Sequence, residues 1–290
     1  MKTIAIINYK GGVCKTTITS NLAVDLANRG KRILAIDLDP QTNLTLSFMK
    51  ADEWQDNYKD KTIKNLFDAI ISNKNVLPTL DKLTIQRLGI DIISFHLALI
   101  DLDTELAAGI ASSTAIQFKN NFIKTYSYLK NALNQVKDYY DVVLFDCPPN
   151  FSTITRNAIV ASDYYAIPAR MDYLSTLGIN QLINHINDLT REYNSYANSK
   201  IQPQFLGVIA TMIGVKDSNP WATNQAYIHQ LHHNNIAMFR TMLRESKTFY
   251  SKAAKEGIPA VCLKTDNQTQ REVVHELKAL TDEFIGKVGI

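Results

Sequence analysis

Between residues 10 and 17 the chain reads Lys-Gly-Gly-Val-Cys-Lys-Thr-Thr. Two glycines, a lysine and two hydroxyls in so short a span are the parts needed to grip a polyphosphate. Gly11 and Gly12 let backbone N–H groups turn inward and approach closely. Lys15 brings a positive charge to the β- and γ-phosphates. The Thr16 hydroxyl is a ligand for Mg²⁺, and Thr17 helps hold the α-phosphate end. Gly11, Gly12, Val13, Cys14, Lys15, Thr16 and Thr17 are the expected nucleotide-binding residues. A chance glycine turn ahead of a helix is the plainer reading. It is disfavoured because an apolar strand precedes the loop and a helical pattern follows, so that the helix aims its positive end at the anion.

Carboxylates stand where such a loop needs them. RILAIDLDPQTN places Asp37 and Asp39 at the end of a second apolar run, ahead of a Pro40 turn. DVVLFDCPPN is a buried strand whose last residue, Asp146, emerges at its carboxyl end, where ligands gather in open α/β sheets. There it is expected to bind Mg²⁺ through water. Pro148 and Pro149 stiffen the following turn.

The three cysteines, Cys14, Cys147 and Cys262, are widely spaced and odd in number, as expected for free thiols of a reducing cytoplasm. Cys147 reads as a packing residue. Cys14 lies beside Lys15 and a helix N-terminus, which together act to acidify a thiol.

The elements that position these groups follow from hydrophobic periodicity. TIAIIN (3–8) and RILAID (32–37) are strands flanking a helix from Thr16 to Arg29, which Gly30 ends. That strand–loop–helix–strand unit implies parallel pairing. Strands are also expected at 90–94, 141–146, 164–169 and 205–213. Helices are expected at 63–71, 116–136, 175–193, 220–234 and 268–285. Strands alternate with helices throughout, so the fold class is α/β, a doubly wound, mostly parallel sheet. One domain is expected over 1–290, with 50–115 as a less regular insertion.

The pattern KGGxxKTT resembles the deviant Walker A box of the ParA/MinD family of P-loop partition and positioning ATPases. DLDPQTN is similar to that family's switch I, and DCPPNFSTITRNAIVASDYYAIPA to its switch II and following strand. LSTLGINQLINHI (174–186), LGVIATMI (206–213) and RTMLRESKTFYSKAAKEGIPAV (240–261) continue the likeness. It thus spans nearly the whole chain except about 50–115, specific near the nucleotide and looser elsewhere. The chain starts at its first strand, as the short, Soj-type members do.

The resemblance implies slow, Mg²⁺-dependent ATP hydrolysis in a nucleotide-sandwich dimer. Lys10 would reach the partner subunit's ATP, Asp39 would orient the attacking water, and Asp37 would lie near the Mg²⁺ shell. Thr211 and Met212 would contact adenine. The late segment of 240–261 would form strand, basic loop and helix. Its Arg240, Arg244, Lys247, Lys252 and Lys255 would bind DNA without sequence preference. A ParB-like or other adaptor would trigger hydrolysis, and the chain would work in the cytoplasm, associated with the nucleoid. One position departs from the family. Cys14 stands where a glycine usually precedes the loop lysine, and a positive φ there would cost a cysteine on the order of 1–2 kcal/mol. Either the loop tolerates it or nucleotide binding is weakened.

The net charge of +3 neither demands nor excludes a polyanion, so any binding patch must be local. No run of about 18 apolar residues occurs, and the last residues, DEFIGKVGI, are too short and acidic for a membrane-lying helix. An iron–sulfur carrier would need more cysteines than Cys147. His229, His232 and His233 share a helix without a nearby carboxylate, a poor metal set. Two competing functions remain: a P-loop phosphotransferase or cofactor-assembly enzyme acting on a small substrate, and a nonhydrolytic module with impaired ATP binding.

Overall fold

A computed structural model describes residues 1–71, 80–95, 99–110, 114–216 and 219–290. In chain order its elements begin β1 (Lys2–Ile6), α1 (Lys15–Asn28), β2 (Ile33–Asp37), α2 (Asn43–Leu46), α3 (Ala51–Asn57), α4 (Ile63–Ile71) and α5 (Leu80–Leu83). Then come β3 (Ile85–Arg87), β4 (Ile90–Ile93), α6 (Leu99–Ile110), α7 (Ala115–Tyr126), α8 (Tyr128–Leu133), β5 (Val142–Asp146) and α9 (Thr153–Val160). The last part holds β6 (Tyr164–Arg170), α10 (Tyr173–Tyr196), β7 (Gln204–Thr211), the short β8 (Val215–Lys216) and β9 (Asn219–Pro220), α11 (Ala222–His233), α12 (Lys247–Glu256) and α13 (Gln268–Val288).

Seven strands form one sheet in the order β3-β4-β2-β5-β1-β6-β7. All neighbours run parallel except the edge hairpin β3–β4. The central strands are apolar at successive positions because both faces are covered. Along β1, Ile4 and Ile6 point into the layer of α1, α12 and α13, while Ala5 and Ile7 point into the layer of α6–α10. β5 repeats this, with Val142 and Leu144 on the first side and Val143 and Phe145 on the second. The expected doubly wound sheet is therefore present.

Two expected elements come out differently. The helix foreseen over 116–136 is two helices, α7 and α8, meeting at Ser127. There the Leu129 N–H donates to Asn157 Oδ1 at 3.3 Å, and Ser127 Oγ bonds the Tyr193 hydroxyl at 2.7 Å. Tertiary partners thus replace helical ones at the junction. The strand foreseen at the start of 240–261 is absent. Within that stretch only Arg244 bridges the end of the sheet, opposite Ile213, just after Met238 bridges Val208.

Candidate functional site

Register places the charged groups. β5 lies between β2 and β1, and Asp146 is paired with Asp37 on one side and Ile6 on the other. The glycine-rich loop leaves the end of β1, so it emerges next to Asp146. Gly12 has φ +70, and a Cβ added at Gly11 or Gly12 would meet nothing within 4 Å. The loop rims an open cradle of about 530 Å³ that Asp39, Gln41, Asn43 and Pro149 also line. Its backbone follows the glycine pattern even at Cys14, which has φ 67 and ψ 22 and caps α1.

At the floor of the cradle Thr16 Oγ1 donates to Asp146 Oδ2 at 2.6 Å. Asp146 is fully buried, and its other oxygen, Oδ1, has no hydrogen-bond partner. Burial and the neighbouring Asp37 push this carboxyl well above its usual range, against the Thr16 bond and Lys15. A buried acceptor left open beside a hydroxyl, under a cradle of backbone N–H groups, is what a magnesium-held polyphosphate would complete. Lys15 is 6% exposed, and its Nζ donates to the Lys10 carbonyl at 3.3 Å. Burial lowers its pKa, while Asp146 and Asp39 oppose that.

The two switch-region aspartates separate. Asp39 faces the cradle, with Oδ1 accepting from the Gln41 N–H at 3.0 Å. Asp37 turns to the protein instead. Its Oδ2 accepts from the Thr45 N–H at 2.9 Å and the Thr45 hydroxyl at 2.8 Å, and Oδ1 from the Asp39 N–H at 3.2 Å. Burial pushes its carboxyl up to about 7 despite these bonds. Asp37 thus clamps α2 to the sheet through Thr45.

Lys10 lies across the rim. Its Nζ donates to both oxygens of Asp172 at 3.2 Å and to Ser175 Oγ at 2.9 Å. Asp172 is also the N-cap of α10, accepting from the Ser175 N–H at 2.8 Å. Asp172, Ser175 and Thr45 escaped the sequence reading. The Asp-x-x-Ser spacing signals a helix cap, but nothing local ties it to Lys10.

Other expected residues fall elsewhere. Thr211 is fully buried, and its hydroxyl donates to the Val13 carbonyl at 3.3 Å, bracing the loop from behind. Its neighbour Met212 is partly exposed, in the left-handed region at φ 53. The Cys14 thiol is not acidified. Burial raises it to about 11, with Arg170 opposing and Glu245 adding to the rise. Cys147 is buried in the core, and no cysteine is paired.

Among the proposed DNA contacts Arg244 is drawn in, 17% exposed and ion-paired with Glu272 and Glu276 of α13. Lys247 pairs with Glu245 at 3.2 Å and Lys252 with Asp266 at 3.5 Å, while Arg240 is exposed. Among the described residues no group of His, Cys, Asp and Glu could hold a metal on its own, and His229, His232 and His233 stand exposed on α11. Among the described residues no helix is long and apolar enough to cross a membrane.

Known proteins with these features can now be compared. A family model described as an AAA domain matches residues 1–201. The sporulation initiation inhibitor protein Soj of Bacillus subtilis is 34% identical over 217 residues, 74% of each chain. A putative plasmid partition protein from Borrelia burgdorferi, solved with AMPPNP bound, superposes with TM-score 0.71 at 21% identity over 99% of both chains. Cobyrinic acid a,c-diamide synthase from Mycobacterium smegmatis, solved with ADP and magnesium, superposes with TM-score 0.66 at 21% identity, covering 89% of this chain and 91% of that one. At that identity the two structures speak for the fold alone.

Proposed function

The chain belongs to the AAA-domain family as one of its Soj/ParA-type partition ATPases, and from that premise we propose that it hydrolyses ATP with Mg²⁺, dimerises around the nucleotide and holds nonspecific DNA while it positions a large cargo. The observation carrying this reading is the open Oδ1 of buried Asp146 beside the Thr16 hydroxyl, under a loop whose Gly11 and Gly12 leave open space where a side chain would stand.

Thr16 and Asp146 would hold Mg²⁺, which when bound neutralises charge on the β- and γ-phosphate oxygens. The Gly11–Thr17 N–H groups wrap the phosphates, and buried Lys15 supplies a cation that little water screens. Asp39, held by the Gln41 N–H on the cradle wall, accepts a proton of the attacking water and aims its oxygen. Met212 borders the adenine end, with Thr211 setting the Val13 turn.

Lys10 acts across the dimer. Its contacts to Asp172 are about one-third exposed on both sides, so breaking them costs only about 1 kcal/mol. A charge-assisted bond to a phosphate exceeds that. Tyr173, Leu174 and Leu177, which follow Asp172 on α10, are 60%, 70% and 56% exposed. An apolar patch beside the trans lysine supports a second copy at this edge. Arg240, Lys247, Lys252 and Lys255 offer DNA contacts on the late segment. A ParB-like adaptor would stimulate turnover, and the working location is the cytoplasm, on the nucleoid.

Sedimentation with and without ATP, and with and without duplex DNA at several salt concentrations, tests this. ATP-dependent dimers that bind DNA in a salt-sensitive way are expected. Absence of both would remove the partition reading and favour a small-substrate P-loop enzyme.

A further inference from the structure

Residues 106–137 carry four lysines and neither aspartate nor glutamate. In the fold three of these lysines stand on α7 and α8, which pack against the last turn of α10. Lys119 Nζ sits 5.4 Å from the Tyr196 ring centroid, and Lys130 Nζ 5.9 Å from that of Tyr193. Those tyrosines are three residues apart on α10, so both lysines flank one turn. Lys200 holds the Ala197 carbonyl of that turn at 3.0 Å. Lys2 lies 5.5 Å from the Tyr164 ring. Lys2, Lys130 and Lys200 then line a single cleft of about 300 Å³ at the amino ends of β1, β6 and β7, with Gln202 and Gln204.

None of Lys2, Lys119, Lys130, Lys137 and Lys200 forms an ion pair among the described residues, whereas Arg244, Lys247 and Lys252 all do. The one carboxylate in the cleft, Asp163, already accepts from the Thr3 N–H and hydroxyl at 2.9 and 3.0 Å. Burial holds the Lys130 ammonium below its usual range, with Asp163 opposing only in part. Lys124 has a partner of its own and is left out.

We infer that the amino edge of the sheet, centred on Lys119, Lys130 and Lys200 around the end of α10, is a second nucleic-acid surface that grips the phosphate backbone of duplex DNA. The inference rests on the DNA-binding reading above and adds a surface to it. Ammonium groups spread over a helix pair and interspersed with Asn120, Asn131, Asn134 and Gln135 suit phosphates at any sequence. Tyr164, Tyr193 and Tyr196 lie under the lysines, so these rings are not open to stack on single-stranded bases. Met1, Leu88, Ile116 and Tyr139 are the exposed large apolar groups along this edge, scattered over separate elements rather than gathered on one helix face as a bilayer anchor needs.

The test uses the full chain with ATP and Mg²⁺, a random-sequence duplex and a salt titration. The Lys119→Gln/Lys130→Gln/Lys200→Gln variant should bind about tenfold more weakly or worse, with the slope of log K against log salt shallower by about 2–3. The corresponding triple arginine variant should bind like the parent, which separates charge from misfolding. ATP turnover without DNA should be unchanged in both. A parent that binds no duplex overturns the DNA reading and this inference together. A parent that binds, with a glutamine variant that binds equally well, overturns this inference alone. Loss of binding to vesicles of phosphatidylglycerol instead of duplex would also overturn it.

Discussion

The two edges of the sheet use charge in opposite ways. At the carboxyl edge Lys15, Asp37, Asp39 and Asp146 are all buried, and each takes part in a specific hydrogen bond. At the amino edge Lys119 and Lys200 stand in solvent, and Lys2 and Lys130 half out of it, over tyrosine rings and helix carbonyls. Buried groups interact strongly and cannot be exchanged for one another, because low dielectric and fixed geometry set their energies. Exposed ammoniums interact weakly and act by number. One edge therefore suits chemistry on a defined ligand, the other adhesion to a repeating one.

That contrast can be broken by substitution. Asp146→Asn keeps the volume and a bond to Thr16 but removes the open anionic oxygen. Steady-state turnover at saturating ATP and Mg²⁺ should fall on the order of 10³-fold. Asp39→Ala should leave ATP binding intact by calorimetry and lower turnover about 10²-fold or more. Normal turnover would remove Asp39 from its role. At the other edge Lys119→Gln alone should weaken duplex binding only about two- to threefold and reduce the salt slope by about 0.9. A loss as large as that of the triple variant would mean that the amino edge, too, depends on one placed residue.

Cys14→Gly should show the smallest effect. Relief of the left-handed strain, about 1–2 kcal/mol, is set against lost packing and a more flexible unfolded chain. The melting temperature should hardly move while ATP binding tightens a few-fold. Equal or weaker binding by calorimetry would show that the cysteine costs the cradle nothing. With its pKa at about 11, Cys14 should also resist iodoacetamide at pH 8, while exposed Cys262 is labelled first.

What could be read in advance was local. The loop, the strand-end carboxylates, the parallel strands of the sheet and the α/β class follow from residue types at short spacing, whereas the edge strand β3 was not foreseen. What escaped depends on distant partners. Lys10 meets Asp172 across 162 positions, and Arg244 is neutralised by α13 from 28 and 32 positions away. Arg244 looks available for DNA until Glu272 and Glu276 fold back onto it. The carboxylate-free run of 106–137 was equally visible in the sequence, but only the fold gathers it with Lys2 and Lys200. The break at Ser127 likewise needs Asn157 and Tyr193. At Cys14 the conformation was foreseeable and the acidity was not, because the burial that raises the thiol is set by the fold.

The common register of β2, β5 and β1 carries a further consequence. Asp37, Asp146 and Ile6 lie level with one another, so the phosphate loop starts from the row that ends in both acids. A slip of β5 by one residue would present Phe145 or Cys147 where Asp146 stands, and would turn every side chain of the strand to the other helical layer. A chain with a misaligned centre could not gather Thr16 and Asp146 at one point. Possession of the nucleotide would then serve as a certificate of correct assembly: if dimerisation follows nucleotide, only correctly threaded copies would be admitted to the dimer.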